Sequence, residues 1–201
     1  MPLQHYLICV RPEYSCGGAT KSQIIFSRRG SISRTTGQAA SSLAGASPPH
    51  EYSCGGFIMK IVLQRCSGAR VDVEGETVGE IGRGLVVFVG VEAGDDETAA
   101  ARLARKIVAL RVFDNAEGKF DLSVHDVGGA MLAIPNFTLC GSARKGTRPS
   151  FATSAASADA LFLFNRFVTL LREQNIDVQT GRFGAHMDVR VENDGPVTLI
   201  L

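Results

Sequence analysis

The sequence predicts an α+β domain over residues 59 to 201, a mostly antiparallel sheet or open β-barrel with two helices packed on it. Three observations carry this reading. Short runs rich in β-branched residues, such as Lys60-Ile-Val-Leu-Gln-Arg-Cys-Ser67 and Leu85-Val-Val-Phe-Val-Gly-Val91, recur between turn residues. A longer stretch, Asp95 to Arg111, instead places apolar residues at helical spacing, and a second helix is expected further on. Their order is strands, helix, strands, helix, strands, which is not the regular β-α alternation of a nucleotide-binding fold.

Taken in order, Lys60 to Ser67 is an apolar run with alternation and reads as a strand. A hairpin follows, with Ala69 to Glu74 and Thr77 to Ile81 around Glu74-Gly75-Glu76. Leu85 to Val91 has the length and β-branching of a buried strand. From Asp95 to Arg111 the apolar residues Ala99, Leu103, Ile107 and Leu110 fall on one helical face. Asp95, Asp96 and Glu97 open that helix and Arg105, Lys106 and Arg111 close it, complementing its macrodipole. Asp114 to Gly118 reads as a loop. Further strands are expected at Phe120 to Val124, Ala130 to Leu139, Ile176 to Arg182, His186 to Glu192 and Pro196 to Leu201, with a second helix from Ser157 to Gln174.

Composition bounds the function. The chain has 201 residues, 45% hydrophobic and 20% charged, enough for one domain with a core and cramped for two. No apolar run approaches the roughly 20 residues that cross a bilayer, and Met1 to Val10 lacks the basic start and long apolar centre of a secretory signal, so no membrane partner is expected. Five cysteines, Cys9, Cys16, Cys54, Cys66 and Cys140, form no C-x-x-C pair and have no histidine at zinc-finger spacing. Neither a disulfide framework nor a structural metal is suggested, and a reducing, cytoplasmic setting is expected. A net charge of +1 argues against non-specific coating of nucleic acid and leaves room for a local basic patch.

Residues 1 to 58 differ from the rest. They carry Arg11, Lys21, Arg28, Arg29 and Arg34 against Glu13 and Glu51, with much Ser, Thr, Gly and Ala and no sustained period, and they read as a disordered extension. Their composition is also that of an organellar transit peptide, while an alternative places the natural start at Met59. The hexapeptide EYSCGG occurs twice, at Glu13 to Gly18 and at Glu51 to Gly56, too short for a solenoid unit. Nothing in the sequence explains it.

Familiar catalytic signatures are missing: G-x-x-x-x-G-K-[ST], G-x-G-x-x-G, H-E-x-x-H and G-x-S-x-G do not occur. His125 and His186 have no partner at ligand spacing and read as surface or packing histidines. More informative is Ser142-Ala-Arg-Lys-Gly-Thr-Arg-Pro-Ser-Phe151, where Arg144, Lys145 and Arg148 share a loop between a strand and a helix. Such a loop can grip phosphate or can be a solvated basic loop. Thr138 reads as the end of an apolar strand and Asn193-Asp-Gly-Pro196 as a tight turn.

Together these segments resemble the D-aminoacyl-tRNA deacylase family over the whole of Met59 to Leu201. The landmarks are Ile61-Val-Leu-Gln-Arg65, Val78-Gly-Glu-Ile-Gly82, Leu122-Ser-Val124 with Asp126-Val-Gly-Gly129, Pro135-Asn-Phe-Thr-Leu139, Arg144-Lys-Gly146 with Arg148-Pro-Ser-Phe151, Gly181-Arg-Phe-Gly184 and Asn193-Asp-Gly-Pro-Val-Thr198. The resemblance implies hydrolysis of the ester joining a D-amino acid, and also glycine, to the terminal adenosine of tRNA, without metal or cofactor. It implies a homodimer in which each site is completed by the partner subunit. Main-chain N–H groups of Phe137 and Thr138 would stabilise the developing oxyanion while the adenosine 2′-hydroxyl helps water attack. Pro135, Asn136, Arg65 and a cis Gly195-Pro196 pair from the partner would meet the substrate, and Arg144, Lys145 and Arg148 its phosphates. Chirality would be enforced by giving an L side chain no room.

One departure stands out. The family usually has Ser-Gln where this chain has Pro135-Asn136, and proline offers neither hydroxyl nor N–H. A related animal branch that removes L-alanine from mischarged tRNA also carries proline there, with a trans Gly-Pro bond. That branch, and a tRNA-binding protein without hydrolytic activity, are the alternatives.

Overall fold

Alternation of apolar residues decides which strands are covered on one face and which on two. The computed structural model describes residues 59–144 and 146–201, so the expectations for residues 1–58 and for Lys145 lie outside it. β1 (Lys60–Val73) is the hub. Along one edge it pairs antiparallel first with β3 (Gly84–Gly90), then with β2 (Glu76–Ile81), and along the other with β8 (Asp188–Ile200). β3 pairs in parallel with β6 (Ala130–Pro135), which pairs in parallel with β7 (Val178–Thr180).

The expected α+β sheet with two helices is present, and its parallel half was not expected. It arises because α1 (Glu97–Val108) lies between β3 and β6, and α2 (Ser157–Arg172) between β6 and β7. Parallel neighbours need such a crossover. β3 and β6 are buried on both faces: Leu85, Val87, Met131 and Ala133 join the main core under the helices, while Val86, Leu132 and Ile134 face a second cluster with Cys66, Ala69, Val71 and Ile81. That double burial is why these strands read as continuous apolar runs. Gly79 lets β2 curl against β7, since a Cβ there would sit 2.9 Å from the Thr180 carbonyl oxygen, and the sheet nearly closes into a barrel.

α1 buries Ala99, Ala100, Leu103, Ala104 and Ile107 against α2, whose Leu163, Phe164, Phe167 and Leu171 fill the core. Each large side chain so removed from water contributes about 1.5–3 kcal/mol. α1 starts later than expected because Asp96 caps it, accepting from the Ala99 N–H at 2.8 Å, while Asp95 accepts from the Glu92 N–H at 2.6 Å and holds a turn. It also ends earlier, so Arg111 lies beyond the helix and pairs with Asp121 at 2.6 Å.

Three other expectations change. Asp114 belongs to a strand, β4 (Phe113–Asp114), paired with β5 (Phe120–Leu122) around Asn115, whose side chain accepts from the Glu117 and Lys119 N–H groups. The strand from Ala130 stops at Pro135, and Phe137–Cys140 forms a 3₁₀ turn, so Thr138 is not a strand residue. Finally, His186 to Glu192 and Pro196 to Leu201 are not separate strands joined by a tight turn: β8 runs through Asn193–Pro196 and bulges. Among the described residues no helix is long and apolar enough to cross a membrane.

Candidate active site

The turn after β6 is built by its first residue. Proline suits the strand end, where a ladder donor is dispensable. Asn136 then donates its N–H to the Val89 carbonyl at 2.8 Å, fastening the turn to β3. Its side-chain Oδ1 accepts from the Thr138 N–H at 3.2 Å and from the Thr138 hydroxyl. The Thr138 N–H, expected to face the oxyanion, is therefore engaged by Asn136, as is the Thr138 hydroxyl. The Phe137 N–H has no acceptor among the described residues. The Phe137 ring is 58% exposed and meets Phe151 edge to face, with centroids 5.2 Å apart.

Phe137 lines two cavities. One, of about 330 Å³, is mainly apolar and lies between the turn and the start of α2, with Val91, Ala155, Phe164 and Phe183 in its walls. The other, of about 390 Å³, is lined by Thr138, His186, Met187 and Val189. Pro135, Asn136, Phe137 and Gly184 line both. The sequence placed Pro135 to Thr138 here, and His186 read as a surface or packing histidine. It is 95% exposed, 4.0 Å from Asp188, and also sits on the rim of the second cavity.

The second expected element lies elsewhere on the chain. Opposite Arg65 of β1, β8 carries the four residues Asp194–Val197, because Gln64 pairs with Thr198 and Cys66 with Asn193. Asn193 closes this bulge, its Oδ1 accepting from the Val197 N–H at 3.0 Å. The Gly195–Pro196 peptide is cis. At Gly195 φ is +129°, and a Cβ would stand 2.7 Å from Val197 Cγ2, so only glycine fits. Neither Gly195 nor Pro196 lines the cavities beside Phe137.

Arg65 belongs to this bulge rather than to a cavity. Its guanidinium is buried, Nε donating to the Asp194 carbonyl at 3.1 Å and Nη1 to the Val112 carbonyl at 2.8 Å. Ion pairs at 3.1 Å join it to Asp114 and Asp194, and Phe120 covers it with its ring centroid 5.4 Å away. The supporting role of Asp114 was not visible in the sequence, where it read as loop.

Bridging of Ser142 and Ser150 closes the basic loop, and Thr153 Oγ1 donates to the Cys140 carbonyl at 3.0 Å, tying the loop's end to the 3₁₀ turn. Arg144 and Arg148 are exposed and form no ion pair among the described residues. Burial raises the Cys140 thiol pKa and pushes that of Cys66 up to about 11, which leaves both poor nucleophiles at neutral pH. Among the described residues no group of three or more His, Cys, Asp or Glu side chains gathers to hold a metal.

Known proteins resemble the chain over the region that carries both segments. The profile of the family described as D-Tyr-tRNA(Tyr) deacylase matches residues 62–201. A D-aminoacyl-tRNA deacylase of Geobacter sulfurreducens is 53% identical over 143 residues, covering 71% of this chain and 94% of that protein. One from Symbiobacterium thermophilum is 50% identical over 145 residues, covering 72% and 96%. Among solved structures, a c-Myc DNA unwinding element binding protein superposes with a TM-score of 0.67 at 37% identity, covering 71% of this chain and 97% of that one. With the profile spanning both the Asn136–Thr138 turn and the Gly195–Pro196 bulge, the chain belongs to the D-Tyr-tRNA(Tyr) deacylase family.

Proposed function

We propose that this protein hydrolyses the ester bond of D-aminoacyl-tRNA, and that of glycyl-tRNA, releasing the free amino acid and tRNA. The observation that carries the proposal is the Asn136–Thr138 turn, whose Phe137 lines both cavities and whose Phe137 N–H has no acceptor among the described residues. An aminoacyl ester is already activated, so the protein needs no nucleophile of its own. The substrate's 2′-hydroxyl assists water, and the Phe137 N–H receives the charge that develops on the carbonyl oxygen. The Thr138 N–H joins it only when Asn136 swings away. Side chains mainly place the substrate.

Specificity in this reading comes from a second copy of the chain. The Gly195–Pro196 bulge lies outside the cavities of its own chain, and in a homodimer the partner's bulge would complete them, leaving an L side chain no space. The exposed Arg144 and Arg148, with Lys145, would take tRNA phosphates. Residues 59–201 would suffice for activity, in the cytoplasm. The names of the relatives favour the D reading over the L-alanine branch that shares Pro135.

The test is deacylation of D-Tyr-tRNA beside L-Tyr-tRNA and L-Ala-tRNA at catalytic protein concentration. Rapid loss of the D ester alone is expected. Faster hydrolysis of L-Ala-tRNA would select the other branch, and binding of tRNA without turnover would select the non-hydrolytic reading.

A further inference from the structure

Arg65 is a buried cation shared between two segments distant in sequence. The β4–β5 region contributes the Val112 carbonyl, the Asp114 carboxylate and the Phe120 ring, and the bulge contributes the carbonyl and carboxylate of Asp194. The division is geometric. Nη1 faces the hairpin and Nε faces the bulge, and because the guanidinium is planar, rotating it breaks both sets of bonds together. Its remaining nitrogen, Nη2, lies 3.2 Å from where a Gly195 Cβ would stand, so the plane of the guanidinium is one wall against Gly195.

Asp194 already supplies a counter-charge from the bulge itself. A second carboxylate, from Asp114 on the opposite side, adds orientation: it fixes which way the fork points. Arg111 in turn anchors the hairpin through Asp121, donating to its carbonyl at 2.6 Å. We infer that Asp114 is a positioning residue for the Gly195–Pro196 bulge, acting through the Arg65 guanidinium. This rests on the reading that the bulge completes a partner's cavities. Its consequence concerns chirality: a bulge held less firmly yields to an L side chain, so discrimination falls while tRNA affinity stays.

The experiment is a double-mutant cycle with Asp114→Asn and Arg65→Lys in the full-length protein. Two readouts are taken, the ratio of kcat/KM for D-Tyr-tRNA over L-Tyr-tRNA, and hydrogen exchange at the Gly195 and Val197 amides, which needs no activity. Asp114→Asn is expected to lower the chiral ratio about tenfold, the size of a coupling between residues in contact, to leave KM for tRNA within about twofold and to speed exchange at the bulge. In the Arg65→Lys background it should add nothing to either readout. Additive losses, or an Asp114→Asn protein with wild-type ratio and exchange, would overturn the inference and leave the proposed activity standing. If the wild-type protein hydrolyses no D-aminoacyl-tRNA but the exchange effects are coupled, the catalytic reading fails and the positioning role falls with it, leaving a purely structural clamp.

Discussion

The side-chain bonds within the turn at Asn136–Thr138 join residues two apart and only main chain fastens it to β3, whereas the bulge at Asp194–Val197, closed locally by Asn193, is also gripped by the side chain of an arginine 129 residues from Asp194. The turn can be rearranged by one side-chain rotation, because Asn136 Oδ1 can leave the Thr138 N–H without disturbing the β3 contact made by its main chain. The bulge has no such freedom. Moving it separates a buried guanidinium from the carbonyl and carboxylate of Asp194, or drags the guanidinium away from the Val112 carbonyl and the Asp114 carboxylate. On the proposed reading, the segment that follows a developing charge is locally adjustable, and the segment that refuses an L side chain is gripped from a distance.

Substitutions can break this contrast at either end. The largest effect is expected from Phe137→Pro, which removes the free N–H at the first position of the turn, where proline fits. Loss of one oxyanion donor should lower kcat by about 10²–10³. Phe137→Leu keeps the N–H and should lose far less, as should Thr138→Ala, whose hydroxyl makes only a neutral hydrogen bond worth about 1 kcal/mol. Equal losses in Phe137→Pro and Phe137→Leu would show that the ring, not the N–H, matters.

At the bulge, Gly195→Ala forces a methyl group into a positive-φ position, at a cost of about 1–3 kcal/mol. Activity should fall by about fivefold to a hundredfold, on the scale where 1.4 kcal/mol is a factor of ten, with sedimentation unchanged from wild type. A fully active Gly195→Ala protein would separate the bulge from the site.

Smaller effects sharpen the picture around these segments. Arg144→Ala and Arg148→Ala should each reduce the salt slope of tRNA binding by about one while sparing the fold, and unchanged slopes would return the loop to simple solvation. The Cys66 thiol is raised from 9.0 to about 11 by burial, so the fold favours the neutral thiol. Its contribution is complete below pH 9 and is lost as pH rises from there toward about 11, which unfolding of Cys66→Ala and wild-type proteins across that window would reveal as a converging difference.

How far the sequence carries depends on the range of the bonds involved. The first helix was legible because its periodicity and its acidic and basic ends are local, and Leu85–Val91 because its buried apolar run is local too. The turn was half legible: Pro135 and Asn136 were conspicuous as residues, but Asn136 capping Thr138 depends on the strand ending at a proline whose neighbour still pairs with Val89. Asn193–Pro196 has the composition of a turn, and only pairing of β1 with both ends of β8 makes it a bulge. Asp114 was illegible because its function lies in a contact 49 residues away, with an arginine that the family resemblance had assigned to substrate.

Mixing two impaired proteins tests the central claim most directly, the claim that a turn from one chain and a bulge from another make one site. Phe137→Pro and Gly195→Ala proteins are combined in equal amounts, their subunits are allowed to exchange, and D-Tyr-tRNA hydrolysis is measured. In each mixed dimer one site receives a sound turn and a sound bulge. Activity should recover to about a quarter of wild type, since half the dimers are mixed and half their sites are intact. Exchange without recovery would contradict the account and place both segments' work within a single chain.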